Sequence, residues 1–309
     1  MSSEITEEGM KATNEPTFTG KLLAVTEVII VRFVLYAFLA LGLLQLAYGT
    51  VDPTPIPIEA PYLIGILWFL IPILFIYGLR RDPAVYGITV RRGPQCVSLV
   101  LDAFPFFILT NVGFMILVFM GWSYLEPLGA LILTGFFILA TLLIINAIKK
   151  KHSEFELEDI PKRKHVTNIF VIIGMLALPI ILALPLGKLS LTLVSVVVWQ
   201  FFFSGFGEEI FFRGYIQSRL NVAFGRPYEW KGIQFGAGLF ITSAIFSITH
   251  MLNTANIWLG DFNLAWWWGS FTFVGGLLFG LLRERTKSVV APGLLHGLEA
   301  VGEGLALLI

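Results

Sequence analysis

Runs of apolar residues long enough to cross a lipid bilayer constrain the fold of this chain more than any other feature. A membrane-spanning helix needs about 20 predominantly apolar residues. The chain of 309 residues is 56% hydrophobic and 14% charged, which is too apolar for a soluble domain of this size. Nine segments fit the pattern: residues 28–48, 62–79, 97–121, 127–148, 168–187, 191–212, 235–252, 264–282 and 289–309. We therefore expect an all-α, polytopic transmembrane bundle of about nine membrane helices.

The distribution of basic residues supports this helix count and sets an orientation. Lys and Arg favour cytoplasmic loops. With the N-terminus inside, the inner loops hold nearly all of them, including the KKKH and KRKH runs between Lys149 and His165, whereas the outer loops between segments hold only Lys188. We expect an integral membrane protein with a cytoplasmic N-terminus and an outer C-terminus, in the plasma membrane if the source is a prokaryote.

The charged loop after the fourth segment divides the chain. Residues 1–27 lack the basic start, apolar core and cleavage site of a signal peptide, and we expect a flexible cytoplasmic tail. Residues 28–148 then form a four-helix region, in which Arg32 and Asp102 stand near helix ends and are expected to be solvated. Residues 149–167 form a cytoplasmic loop, and residues 168–309 form a five-helix core with most of the unusual polar residues.

Charge and cysteine content exclude two classes of interaction. The net charge is zero and the chain has no basic arm, so no nucleic-acid partner is expected. The single cysteine, Cys96, cannot form an internal disulfide. The lipid bilayer is the partner that composition does predict.

The stretch GFGEEIFFRGYIQSRL, which begins at Gly205, places two adjacent carboxylates in or just under an apolar run. An ionisable residue at membrane depth is costly and is a functional hypothesis by default. Glu209 and Arg213 have the i, i+4 spacing of a helical ion pair. Glu208 points about 100° away on an α-helix and has no such partner. We expect Glu209 and Arg213 to hold the helix and Glu208 to be free to activate water.

Two histidines can reach the same layer as Glu208. His250 follows Phe246 by one helical turn, and His296 stands in the last apolar segment. The turn-forming linker GRPYEWKG lies about 24 Å beyond Glu208 and about 27 Å before His250 at a rise of 1.5 Å per residue. If Arg213 marks the inner boundary, the three side chains share a layer in the cytoplasmic half of the membrane.

Several other chemistries lack their motifs in this sequence. There is no HExxH zinc site, no GxSxG nucleophile, no GxGD aspartyl pair and no phosphate-binding glycine loop. Glu299 and Glu303 follow His296 at i+3 and i+7, and the glycines in FVGGLLFGLL indicate close helix packing. A lone membrane histidine is more often a packing residue, but two at matched depth with a carboxylate favour a catalytic site.

Three motifs stand in order on separate predicted helices: EExxxR at Glu208, Glu209 and Arg213, FxxxH at Phe246 and His250, and a third histidine at His296. Together they resemble the CPBP family, the type II CAAX prenyl protease and bacteriocin-immunity group of glutamic intramembrane endopeptidases. The resemblance covers about residues 190–305.

The resemblance implies metal-independent peptide hydrolysis, with no cofactor, by a site that opens toward the cytoplasm. Glu208 and His250 would activate a water molecule, His296 would help to stabilise the oxyanion, and Phe246 would shape the pocket. The substrate would be a membrane-associated protein or peptide. It would be either a lipidated tail, as in CAAX-type C-terminal processing, or a prokaryotic peptide or immunity target.

One position departs from the family pattern. The family commonly has Asn or a similar polar residue four positions after the last histidine, where this chain has Ala300. Loss of one oxyanion donor costs about 10²–10³ in rate, and Asn253, near His250, is a candidate substitute.

Two alternatives to this function stay open at the level of sequence. One is a zinc-dependent hydrolase with Glu208, His250 and His296 as ligands and an open position for water. The other is a non-catalytic membrane scaffold, regulator or transporter.

Overall fold

The computed structural model describes residues 17–53, 55–152, 155, 158–255 and 260–309. Ten helices and two strands follow one another in chain order: α1 (Phe18–Tyr48), α2 (Ala60–Gly78), α3 (Gly93–Met120), α4 (Pro127–Lys151), α5 (Lys162–Ala183), α6 (Leu191–Phe224), β1 (Tyr228–Trp230), β2 (Ile233–Phe235), α7 (Ala237–Met251), α8 (Trp268–Thr286), α9 (Val290–Gly297) and α10 (Glu299–Ala306). A 3₁₀ turn, Leu252–Thr254, follows α7.

The helical, polytopic fold predicted from sequence is confirmed. Among the described residues, helices α1 to α6 are long and apolar enough to cross a membrane. The other three predicted segments are also helical, but α7 has 15 residues, α8 ends in charged residues, and the last segment is split into α9 and α10 with 8 residues each. The count of nine membrane helices therefore stays a prediction.

Helix α1 begins ten residues before the predicted start of the first membrane segment. Thr17 caps it, since the Thr17 hydroxyl accepts a hydrogen bond from the Gly20 backbone N–H at 3.1 Å. The expected flexible tail thus does not extend to residue 27, and its residues 1–16 lie outside the described part of the chain.

The early start of α1 also corrects the environment of Arg32, which we expected near a solvated helix end. Arg32 is 9% exposed in the interior of the helix, with its guanidinium 4.7 Å from the Tyr36 ring centroid. Asp102 is partly exposed, as expected, but it is also paired with Lys151 and with His152 Nε2 at 3.0 Å.

The linker between α6 and α7 forms a small antiparallel hairpin rather than a simple turn. Trp230 pairs with Ile233, and the two residues between them, Lys231 and Gly232, have φ angles of 51° and 79°. Positive φ at both positions is the geometry of the two-residue turns that match strand twist. The glycines of this linker predicted the turn. The strands on either side were not predicted, because three residues are too few to show an alternating apolar pattern.

Helix α6 contains unusually wide turns. Trp199–Glu208 and Ile210–Gln217 are π-helical, with an α-helical turn or two on either side. Such turns are rare and concentrate at functional sites. Because the π-helix has more residues per turn, the 100° separation expected between Glu208 and Glu209 does not apply here.

Helices α6 and α9 touch through their backbones at three glycines. A Cβ on Gly205 would lie 2.6 Å from Gly297 Cα and 2.9 Å from the Gly293 carbonyl oxygen. Gly293 and Gly297 have the small-xxx-small spacing that lets membrane helices approach closely. The glycines singled out from sequence, Gly276 and Gly280, lie in α8 against α7, so close packing there is confirmed.

Candidate active site

Most of the polar residues singled out from sequence line one cavity of about 400 Å³ inside the bundle. Glu208 from α6, His250 from α7 and His296 from α9 all line it, and helices α3, α4, α8 and α10 complete its walls. Asn253, an exposed residue of the 3₁₀ turn, also lines it. Ala300 is fully buried and is not a lining residue.

Glu209 links two of the motifs through a single oxygen atom. Arg213 Nη1 donates to Glu209 Oε1 at 2.7 Å, which confirms the predicted i, i+4 ion pair. His296 Nδ1 lies 2.9 Å from the same oxygen. This bond fixes the tautomer, since a carboxylate accepts the proton on Nδ1 and leaves Nε2 facing the cavity. Glu209 therefore orients the third histidine as well as holding the helix.

The guanidinium of Arg213 is enclosed by aromatic rings. Its Cζ lies 4.3 Å from the Phe246 ring centroid and 5.5 Å from that of Phe279, and its relative exposure is 0%. Phe279 in turn stacks on the His296 imidazole with 4.5 Å between ring centroids. The layer predicted from sequence has Arg213 at the inner boundary of the membrane. Its burial among these aromatic rings shows that it does not mark a solvated boundary.

His250 is held from two sides. Its Nδ1 donates to the Phe246 carbonyl oxygen at 2.9 Å, so that Nε2 carries the lone pair in the neutral ring. Its ring centroid lies 4.4 Å from that of Phe246 and 5.4 Å from that of Trp268. Phe246, expected to shape the pocket, contacts both this imidazole and Arg213.

Glu208 differs from its neighbour in lacking the two side-chain partners that Glu209 has at Oε1, although each glutamate has a buried Oε2 without a donor among the described residues. Glu208 is 6% exposed, and no described residue donates a hydrogen bond to its buried Oε2. That oxygen lies 4.0 Å from His296 Nε2. A buried acceptor without a donor is costly, and it is the arrangement expected of a carboxylate that receives a proton.

Two cavity residues have contacts that sequence reasoning did not assign. Ser204 Oγ lies 3.3 Å from His296 Nε2, and Glu299 Oε2 lies 4.0 Å from the same nitrogen. Ser204 stands four residues before Glu208. Because this part of α6 is π-helical, α-helical spacing does not predict the direction of the Ser204 side chain. Glu299 reaches the cavity because the helix breaks at Leu298, whose N–H bonds both the Leu294 and Leu295 carbonyls and starts a new helix.

The cavity lies at the end of the bundle where α7 ends and α8 begins, since it is lined by His250, Asn253 and Trp268. The β-hairpin lies at the other end of α7, and the basic run after Lys149 lies at the C-terminal end of α4, away from the α4 residues that line the cavity. The expected location in the cytoplasmic half and the expected orientation with basic loops inside are therefore incompatible, since that orientation places the cavity in the outer half. Both stay predictions, and Arg213, which is buried, does not mark the inner boundary.

The zinc alternative needs Glu208, His250 and His296 around one centre. Within the described ranges, no group of three His, Cys, Asp or Glu side chains has the arrangement of a metal site. Both His296 nitrogens already have close protein neighbours, Glu209 at Nδ1 and Ser204 at Nε2.

The fold and this cavity define the class: an integral, multi-pass helical membrane protein with a buried acid–histidine site. More particularly, residues 190–301 match the family model described as type II CAAX prenyl endopeptidase Rce1-like. The match confirms the resemblance drawn from the three motifs and supports a membrane protease. Comparisons with curated proteins and with solved structures gave no match.

Proposed function

We propose that the protein is a metal-independent endopeptidase that hydrolyses a peptide bond of a membrane-associated protein or peptide. The observation that carries this proposal is the common cavity, in which the Glu208 carboxylate lies 4.0 Å from His296 Nε2 and His250 lines the same space. The family match over residues 190–301 supports the same class of reaction.

Glu208 and His250 are the groups that activate the water molecule. Glu208 Oε2 has no hydrogen-bond donor among the described residues, and His250 presents Nε2 because its Nδ1 is bonded to a backbone carbonyl. Each is an acceptor for a water proton, and general-base assistance of this kind contributes about 10²–10⁴ in rate. The resulting hydroxide attacks the carbonyl carbon of the substrate.

His296 stabilises the oxyanion that this attack produces. Its Nδ1–H donates to the Glu209 carboxylate, which orients the ring so that Nε2 faces the cavity, as the carboxylate does in a Ser-His-Asp triad. With a proton on both nitrogens, the ring directs an Nε2–H into the cavity, next to the Ser204 hydroxyl at 3.3 Å. Two donors at the developing charge compensate for the absence of an amide at Ala300.

The rest of the cavity favours an apolar group beside the scissile bond. Aromatic side chains form much of its wall: Phe114, Tyr124, Phe137, Trp268 and Phe271. Such a wall suits a prenylated cysteine, the substrate feature that the family description contains, or an apolar side chain of a secreted or immunity peptide. We infer that the substrate enters at the end of the bundle where α7 ends.

Cleavage of an internally quenched peptide with an S-farnesyl cysteine by the purified protein in detergent tests this function. Glu208→Gln should lower kcat by about 10²–10⁴, whereas Glu229→Gln, an exposed change on the hairpin, should leave it unchanged. Equal rates for Glu208→Gln and the wild type would remove the assigned base.

Metal analysis of the same sample tests the zinc alternative. Activity should survive chelation, and bound zinc should be far below one ion per chain. Stoichiometric zinc with activity lost on chelation would favour the metal enzyme. A wild-type protein that cleaves no peptide, lipidated or not, would favour the non-catalytic scaffold.

A further inference from the structure

Two carboxylates from different helices approach the same imidazole nitrogen. Glu208 Oε2 on α6 and Glu299 Oε2 on α10 each lie 4.0 Å from His296 Nε2. The proposed function uses Glu208 and His296 and gives no task to Glu299.

Glu299 is held at the cavity by the chain itself. The break at Leu298 starts α10 at Glu299, so that this residue lines the cavity while Ala300 is buried elsewhere. Its side chain is 22% exposed, and the ion-pair-distance contact recorded for it within the described residues is with His296.

Both carboxyl groups lie 4.0 Å from one nitrogen, and repulsion favours a single negative charge on two carboxyl groups that share a site. Arg213, the buried cation beside them, is already bonded to Glu209. Active sites use such pairs by giving one carboxyl group the role of base and the other the role of acid. Glu208, with its donor-free oxygen, takes the role of base.

We propose that Glu299 is the general acid that protonates the leaving nitrogen, an inference that rests on the proposed endopeptidase function. Glu208 removes a proton from water, the water oxygen bonds to the carbonyl carbon, and the π electrons move to the carbonyl oxygen. When the oxyanion collapses and the C–N bond breaks, Glu299 transfers its proton to the nitrogen, which leaves as an amine. His296, whose Nε2 lies 4.0 Å from both carboxylates, then gives its Nε2 proton to Glu299 and takes up the proton held by Glu208, which restores the starting state.

A pair of substrates that differ in their leaving group tests the proposal. One is the farnesylated peptide, and the other is its twin with a thioester in place of the scissile amide. A thiol has a pKa near 8.5 and departs as a thiolate without protonation, whereas an amine requires a proton. Glu299→Gln should therefore lower kcat on the amide by about 10²–10⁴ and on the thioester by less than about tenfold.

Matched variants separate this role from general damage to the cavity. Glu208→Gln should lower kcat on both substrates, because both need activated water. Glu303→Gln removes another carboxylate from the same wall and should not discriminate between them. Glu299→Asp should restore part of the amide activity lost in Glu299→Gln. Retained thioester hydrolysis in Glu299→Gln shows that the variant is folded.

The outcomes distinguish this inference from the function on which it rests. Wild-type protein that hydrolyses neither substrate contradicts the endopeptidase function and this inference with it. Wild-type activity together with equal losses on amide and thioester in Glu299→Gln, or no loss on either, overturns the role of Glu299 alone.

Discussion

Adjacent glutamates in the same helix have different partners. Glu209 is fully buried and its Oε1 is bonded to Arg213 and His296, whereas Glu208 makes no such bond; each glutamate has a buried Oε2 without a donor among the described residues. The Glu209–Arg213 pair could be predicted because it depends only on helical spacing. The Glu209–His296 bond could not, because it joins α6 to α9 and depends on how closely these helices pack.

This difference predicts that the same substitution has a large effect on stability at Glu209 and a small one at Glu208. Glu209→Gln should lower the free energy of unfolding by about 3–5 kcal/mol, because it leaves the buried Arg213 guanidinium without its anion. Glu208→Gln should change it by less than about 1 kcal/mol, since no described residue donates a hydrogen bond to Glu208 Oε2. Thermal or denaturant unfolding in detergent measures both, and a larger loss in Glu208→Gln would contradict the assignment.

At the scale of elements, the glycine contact between α6 and α9 sets the distance between the first and third motifs. The sequence predicted the helices themselves, because long apolar runs decide their existence. It did not predict the wide turns of α6 or the break at Leu298, because neither feature produces a repeating pattern of apolar residues in the sequence. The spacing of Gly293 and Gly297 is a sequence signal for this helix crossing.

Gly205→Ala tests this contact. Its Cβ would meet Gly297 Cα at 2.6 Å, so the two helices must separate and the glutamates must move away from His296. We expect kcat to fall at least tenfold and stability to fall by about 1–3 kcal/mol. Gly42→Ala in α1 is the control, because nothing lies within 4 Å of its Cβ. Normal activity in Gly205→Ala would show that the crossing does not position the site.

At the scale of the whole molecule, the cavity is lined by residues from both sides of the charged loop at 149–167. Thr110, Asn111 and Phe114 of the N-terminal four-helix region line it together with residues of the C-terminal core. The boundaries at residues 148 and 167 remain a proposal about organisation. We propose that the first region closes one side of the site, a role that sequence patterns within that region did not indicate.

The location of the cavity away from the basic loops predicts which side of the membrane reaches it. With Lys and Arg inside, Asn253→Cys should react with a membrane-impermeant thiol reagent in intact cells, and Lys150→Cys only after permeabilisation. Both positions are exposed, and the native Cys96 is buried. The reverse labelling pattern would show that the site opens toward the cytoplasm.

The most direct test of the central claim is an experimental structure of Glu208→Gln with an uncleaved peptide bound. We predict that the scissile carbonyl carbon lies within about 3.5 Å of a water molecule held by residue 208 and His250, as a near-attack geometry requires. The carbonyl oxygen should point to His296 Nε2 and the leaving nitrogen to Glu299. A peptide bound outside the cavity, or with its scissile bond directed away from these side chains, would contradict the account.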